Sequence, residues 1–127
     1  MLSDLKIGII GGSGMEDPAY ISDSNSKDVS TPYGDPSSQL ILGSIADVPV
    51  VILSRHGPGH SINPTNVNYR ANISALKEEG CTHILAATAC GSLREQIEPG
   101  HFVFPDQFID RTTKRISTYF DGPDVQH

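Results

Sequence analysis

A chain of 127 residues can bury about 70% of its unfolded surface around one core, so it needs neither disulfides nor a structural metal to fold. Nine basic against fifteen acidic residues leave a net charge of −6, which argues against a nucleic-acid surface, and no apolar run approaches the ~20 residues of a membrane-crossing helix. Cys81 and Cys90 form no CxxC and no disulfide framework, and residues 1–6 lack the basic and apolar regions of a secretory leader; both features suit a reducing, cytoplasmic setting. In chain order, residues 5–10 (LKIGII) read as a buried strand that stops at Gly11-Gly12-Ser13-Gly14. Residues 15–37 read as loop, because Pro18, Pro32, Gly34 and Pro36 interrupt every period. Residues 39–45 and 48–53 form two strands joined tightly through Ala46-Asp47, and residues 54–66 form a second polar loop. The spacing of Tyr69, Ile73 and Leu76 predicts a helix over residues 66–79, closed by Gly80. Residues 83–88 suit the centre of a parallel sheet, residues 101–104 a further strand, and residues 108–127 an irregular tail. The helix is expected to turn Val67, Ala71, Ile73 and Leu76 to the sheet and Lys77, Glu78 and Glu79 to water.

This inventory is an α/β one: part of a mixed, mostly parallel sheet flanked by helices. About five strands and one helix cannot cover both faces of such a sheet, which needs crossover helices on each side. The expectation is therefore that residues 1–127 are the N-terminal portion of a single larger domain.

Several segments carry candidate chemistry. The glycine run follows a strand but departs from the dinucleotide pattern, since after Gly12-x-Gly14 the third glycine position holds Asp17, and Pro18 follows it. Such a loop holds a single phosphate on successive N–H groups and the Ser13 hydroxyl, or else it is simply a tight turn. Arg55-His56-Gly57 follows the apolar run Val50-Val51-Ile52-Leu53, at the strand end where α/β sheets bind ligands. Arg55 offers a fork to phosphate oxygens and His56 a donor; a solvated loop pair is the alternative. His60 lies four residues on, but Pro58-Gly59 exclude a helical metal pair, and no metal site is expected. Cys81-x-His83 has no partner motif and reads as structural filling. Thr88-Ala89-Cys90-Gly91-Ser92-Leu93 ends a strand with small and hydroxyl residues, so a ligand can approach the backbone there. No acid–base pair adjoins Cys90, which argues against a catalytic thiol. Asn72-Ile73-Ser74 matches a glycosylation sequon but falls inside the helix of a non-secreted chain. Three strand ends thus present Ser13, Arg55-His56 and Thr88-Ala89, a set that converges on one tetrahedral anion if the strands are neighbours.

The blocks Gly8-Ile9-Ile10-Gly11-Gly12-Ser13-Gly14, Ser54-Arg55-His56-Gly57, Val67-Asn68-Tyr69-Arg70-Ala71-Asn72-Ile73 and Thr88-Ala89-Cys90-Gly91-Ser92-Leu93 closely resemble the 5′-methylthioadenosine phosphorylases, in the trimeric branch of the purine nucleoside phosphorylases. Leu53-x₃-Gly57-x₂-His60-x-Ile62 together with Ala89-x-Gly91-Ser92-Leu93 is similar to that branch's signature, and the likeness continues through Asp106-Gln107-Phe108-Ile109-Asp110-Arg111-Thr112 and Phe120-Asp121-Gly122.

The resemblance implies phosphorolysis of methylthioadenosine to adenine and 5-methylthioribose 1-phosphate, a salvage reaction without a cofactor. Carried over by position, Ser13, Arg55, His56, Thr88 and Ala89 hold phosphate; Cys90 and Gly91 border the nucleoside, and His127 reaches a neighbouring subunit's methylthio pocket. It further implies a homotrimer in the cytoplasm, or cytoplasm and nucleus, with small-molecule partners and neither nucleic acid nor membrane. Family members run to about twice this length, and their purine-contacting aspartates lie beyond residue 127, so these residues alone are not expected to be active. A general purine nucleoside phosphorylase, a methylthioinosine phosphorylase, and a non-catalytic half-domain that binds phosphate or associates with longer subunits are the alternatives.

Overall fold

A computed structural model describes residues 4–12 and 18–123. Five strands make one sheet: β1 (Ile7–Gly11), β2 (Ser22–Lys27), β3 (Leu40–Ile45), β4 (Val48–Ser54) and β5 (His83–Ala86), in the order β2-β3-β4-β1-β5. Among the described residues one α-helix, α1 (Tyr69–Glu78), lies between β4 and β5. β1 pairs in parallel with both β4 and β5, whereas β3 is antiparallel to β2 and to β4. The described part of the sheet is thus mixed, as expected, with two parallel and two antiparallel pairings.

The hairpin between β3 and β4 follows from its two-residue loop. Ala46 and Asp47 both take positive φ, at 49° and 63°, the left-handed pair that matches the twist of the flanking strands. α1 begins where Asn68 caps it, its side chain accepting from Ala71 N at 3.1 Å. It ends on Gly80 at φ 79°, with Gly80 N–H on Lys77 O and Cys81 N–H on Leu76 O, which satisfies the last free carbonyls.

The apolar run of β4 is buried on both faces. Val51 and Leu53 join Ile10, Leu40, Ala75 and Leu76 beneath α1, while Val50 and Ile52 join Ile21 on the opposite face. The helix rests directly on β1, since a Cβ at Gly8 would lie 3.1 Å from Leu76 Cδ1. The opposite face has no helix among the described residues, and Ile7, Ile9, Ile41 and Ile45 stay only partly buried there.

Several sequence expectations need correction. The stretch read as loop contains β2, an outer strand of Ser, Asp, Asn and Lys exposed at every residue; with neither face buried it shows no alternation. The strand over residues 83–88 ends at Ala86 and lies at the edge of the described sheet, not its centre, with all four residues exposed. Residues 101–104 join no strand pairing among the described residues, and Phe102 and Phe104 are 92% and 88% exposed. Val67, Ala71 and Leu76 are buried as expected, but Ile73 points outward and Asn72 inward. The Asn72 amide accepts from Ser37 N at 2.8 Å and donates to Ser37 Oγ at 3.0 Å, a buried closure that favours polar over apolar at this position. Glu79 is not in water either: it pairs with Lys27 and lies 4.0 Å from Lys6, tying the helix end to β2 and to the residue before β1.

β2 crosses β3 closely at Gly43, where the pairing register shifts between Ser22 and Asn25. A Cβ at Gly43 would press on Ile21 Cγ2 and lie 2.8 Å from Ser22 O. Gly43→Ala is therefore expected to cost about 1–2 kcal/mol, read from a denaturant midpoint shift at unchanged slope.

Candidate anion site at the strand ends

The three parallel neighbours β4, β1 and β5 finish side by side. Their ladder runs one residue further on each flank, with Arg55 N on Gly11 O and Ala87 N on Ile10 O, both at 3.0 Å. These bonds bring Gly12, Arg55 and Thr88 together at the carboxyl edge of the sheet, around a cleft of about 540 Å³. His56 and Ala89 also line it, as do His60, Ile62 and Asn63 from the loop after β4.

Arg55 is half-buried and held on three sides. Nη1 donates to Ala87 O at 3.0 Å, Nη2 to Thr88 Oγ1 at 3.4 Å, and Nε to His56 Nε2 at 3.2 Å. None of these acceptors is charged, and among the described residues no carboxylate pairs with Arg55. No described residue lining the cleft is acidic, although the chain as a whole is. Guanidinium has five N–H groups, so two remain for a ligand. The fork lies against the backbone of Gly12, where a Cβ would come within 3.4 Å of Arg55 Nη2, an ordinary contact. The site is therefore a fixed cation with spare donors, open to solvent, beside a hydroxyl and the backbone of Thr88 and Ala89. Such a group binds an anion with two or more oxygens.

His56 is held as firmly. Its Nδ1 meets Ile62 O at 2.9 Å, its ring stacks on His60 with centroids 5.5 Å apart, and Ile62 N–H returns to His56 O at 2.9 Å. Gly57, at φ 70°, makes the bend that turns the loop back on itself.

Of the residues singled out in the sequence, Arg55, His56, Thr88 and Ala89 meet at this cleft. Cys90 and Gly91 follow Ala89 in exposed chain and do not line it. Ser13 and His127 lie outside the described residues. The sequence does not single out Ile62 and Asn63 as lining residues, and it places His60 in the family signature without a role at the cleft. The signal for them was the length of the Gly57–Pro58–Gly59 turn, which folds the loop back over its own start. Cys81 packs under α1 against Gly8, and burial pushes its thiol up, as befits a filling residue. Among the described residues, no group of three or more His, Cys, Asp and Glu is placed to hold a metal ion, and no helix is long and apolar enough to cross a membrane.

The sequence profile of the phosphorylase superfamily matches residues 6–127. An S-methyl-5′-thioadenosine phosphorylase of Danio rerio is 63% identical over 120 residues, covering 94% of this chain and 43% of its own length. One of Xenopus tropicalis is 63% identical over 119 residues, covering 93% and 42%. The chain thus spans less than half the length of these relatives. Among solved structures, methylthioadenosine phosphorylase from Schistosoma mansoni in complex with tubercidin superposes with a TM-score of 0.82 at 54% identity, over 88% of this chain and 40% of that one. A variant of the adenosine/methylthioadenosine phosphorylase from the same organism, in complex with methylthioadenosine, gives 0.82 at 53% identity, over 88% and 39%.

Proposed function

Since the chain belongs to the phosphorylase superfamily, we propose that it supplies the phosphate-holding part of an S-methyl-5′-thioadenosine phosphorylase. The observation that carries this reading is the Arg55 fork: a guanidinium fixed by neutral acceptors at a cleft with no acidic lining, two N–H groups still to give. In this reading phosphate sits among Ser13, Arg55, His56, Thr88 and Ala89, and Cys90, Gly91 and His127 belong to the nucleoside side. A phosphate oxygen bonds to C1′ of methylthioadenosine as the C1′–N9 bond breaks, and the bonding pair leaves with adenine. Charge moves from the nucleophile toward the purine through an oxocarbenium-like transition state. The part of this chain is electrostatic and positional: it concentrates phosphate, orients it below the ribose and excludes a competing water.

The reading carries with it a homotrimer, phosphate as co-substrate without a further cofactor, and a cytoplasmic location that extends to the nucleus. Neither nucleic acid nor membrane is a partner. The purine-contacting acids belong to the length that the relatives have beyond this match. The test is a family-length chain whose first 127 residues are these, continued by the C-terminal part of the Danio rerio relative. Phosphate-dependent base release is measured with methylthioadenosine, methylthioinosine and inosine. Preference for methylthioadenosine is expected; preference for either inosine substrate reassigns the base, and no turnover of any of the three rejects the function.

A further inference from the structure

We propose that Tyr69 is a positioning residue for the nucleoside wall of the cleft, tying that wall to Arg115 in the chain after β5; the proposal rests on reading the cleft as the place where phosphate and methylthioadenosine meet. At about 540 Å³ the cleft has the size of a small-molecule site, about 300–1,000 Å³, and a five-atom anion at Arg55 fills only part of it. Ile62, Asn63 and Pro64 form a wall that brings no charged group. Such a wall suits the sugar and base of a nucleoside rather than a second anion contact.

Two ties fix this wall. At its start, Ile62 N–H bonds His56 O at 2.9 Å. At its end, Pro64 O accepts from Tyr69 Oη at 2.8 Å. Between them Asn63 spends its side-chain oxygen on its own turn, accepting from Thr65 N and Asn66 N at 3.0 and 3.1 Å. Tyr69 is the first residue of α1, held in place by the Asn68 cap and the buried face of the helix. Its hydroxyl works in both senses: it gives its proton to Pro64 O and accepts from Arg115 Nη1 at 3.3 Å. A donor on that oxygen strengthens the bond the same hydroxyl donates. The Arg115 guanidinium also lies over the Tyr69 ring, 5.7 Å from its centroid.

Arg115 is not a loose side chain. Over residues 98–123 it is the one residue that is not exposed. Its stretch is tied down again further on, where Tyr119 Oη donates to Arg70 O at 2.8 Å and Arg70 pairs with Asp121 at 2.7 Å. Two consecutive helix residues, Tyr69 and Arg70, thus hold both ends of residues 115–121, and Tyr69 passes that constraint to the cleft wall through Pro64.

Initial-rate series in the family-length chain test this, with separate KM values for methylthioadenosine and inorganic phosphate. Tyr69→Phe removes the hydroxyl and keeps the ring. It is expected to raise the methylthioadenosine KM about fivefold, while the phosphate KM and kcat stay within about twofold. Arg115→Ala should raise the methylthioadenosine KM about threefold in the parent and add nothing in a Tyr69→Phe background, because its effect runs through the hydroxyl. A merely structural role raises both KM values together. That result, an unchanged methylthioadenosine KM, or additive effects of the two substitutions overturns the positioning role and leaves the phosphorylase reading intact. A parent chain that turns over no nucleoside overturns that reading and the proposal with it. Should Arg115→Ala not fold, Tyr69→Phe alone decides.

Discussion

Arg55→Ala, in a family-length chain, is expected to raise the phosphate KM about a hundredfold and the nucleoside KM by no more than a few-fold. Charge-assisted bidentate contacts contribute about 2–3 kcal/mol, and a hundredfold is close to the upper end of that range. The asymmetry between the two substrates is the informative part. Arg55 touches Ala87 O, Thr88 Oγ1 and His56 Nε2, so its loss also frees the end of β5 and the loop after β4. A general loosening would weaken both substrates together; loss of an anion contact weakens one. Arg55→Lys separates charge from geometry. A lysine ammonium restores the positive charge but cannot present two parallel N–H groups or be fixed at three nitrogens, so it should recover only a minor part of the loss. Parallel initial-rate series in phosphate and in methylthioadenosine give both constants. An unchanged phosphate KM in Arg55→Ala would remove the basis for placing the anion at this cleft.

The legible part of this fold is the part that local chemistry dictates. Asn68 and Gly80 bracket the helix because a side-chain oxygen and a left-handed glycine solve the two ends of any helix. The Ala46–Asp47 turn was visible as a two-residue gap between apolar runs, and Arg55 and Thr88 were visible because each ends such a run. What stayed hidden depends on partners distant in sequence. β2 is a strand only because the backbone of β3 is beside it, and its side chains carry no trace of that pairing. Asn72 reads as a surface residue, and its sequon as a modification site, until Ser37, 35 positions away, is seen to close its amide in the interior at 2% exposure. The loop over residues 56–62 offers no periodic signal at all. Its role at the cleft follows from the reciprocal His56–Ile62 bonds, which depend on the bend at Gly57.

Residues 1–127 expressed alone are expected to show no phosphate-dependent adenine release above background, and to aggregate or to melt without a cooperative transition. The reason lies in what the described surface presents. β5 is an edge strand exposed at all four residues, with Leu85 at 56%. The chain after it carries Leu93, Phe102, Phe104, Phe108 and Ile109 at 78% exposure or more. Residues 118–121 return to the helix through Arg70, which bonds Asp121 at 2.7 Å and accepts from Tyr119 Oη at its carbonyl. That clasp is a small exposed cluster and covers none of these five side chains. Apolar patches beyond a few hundred Å² bind something or drive association, and an unpaired strand edge adds a template for it. Chemistry is expected to fail independently of solubility, on the proposed assignment of the purine-contacting groups to the length that the relatives have beyond this match. Assistance to the leaving purine is typically worth about 10²–10⁴ in rate, and a nucleoside without its binding groups loses the positioning that phosphate attack requires. Light scattering, a thermal melt and an adenine-release assay on the isolated chain test each part separately. A monomer with a cooperative melt would refute the uncovered surface, and measurable phosphorolysis would show that the strand-end cleft suffices for the reaction.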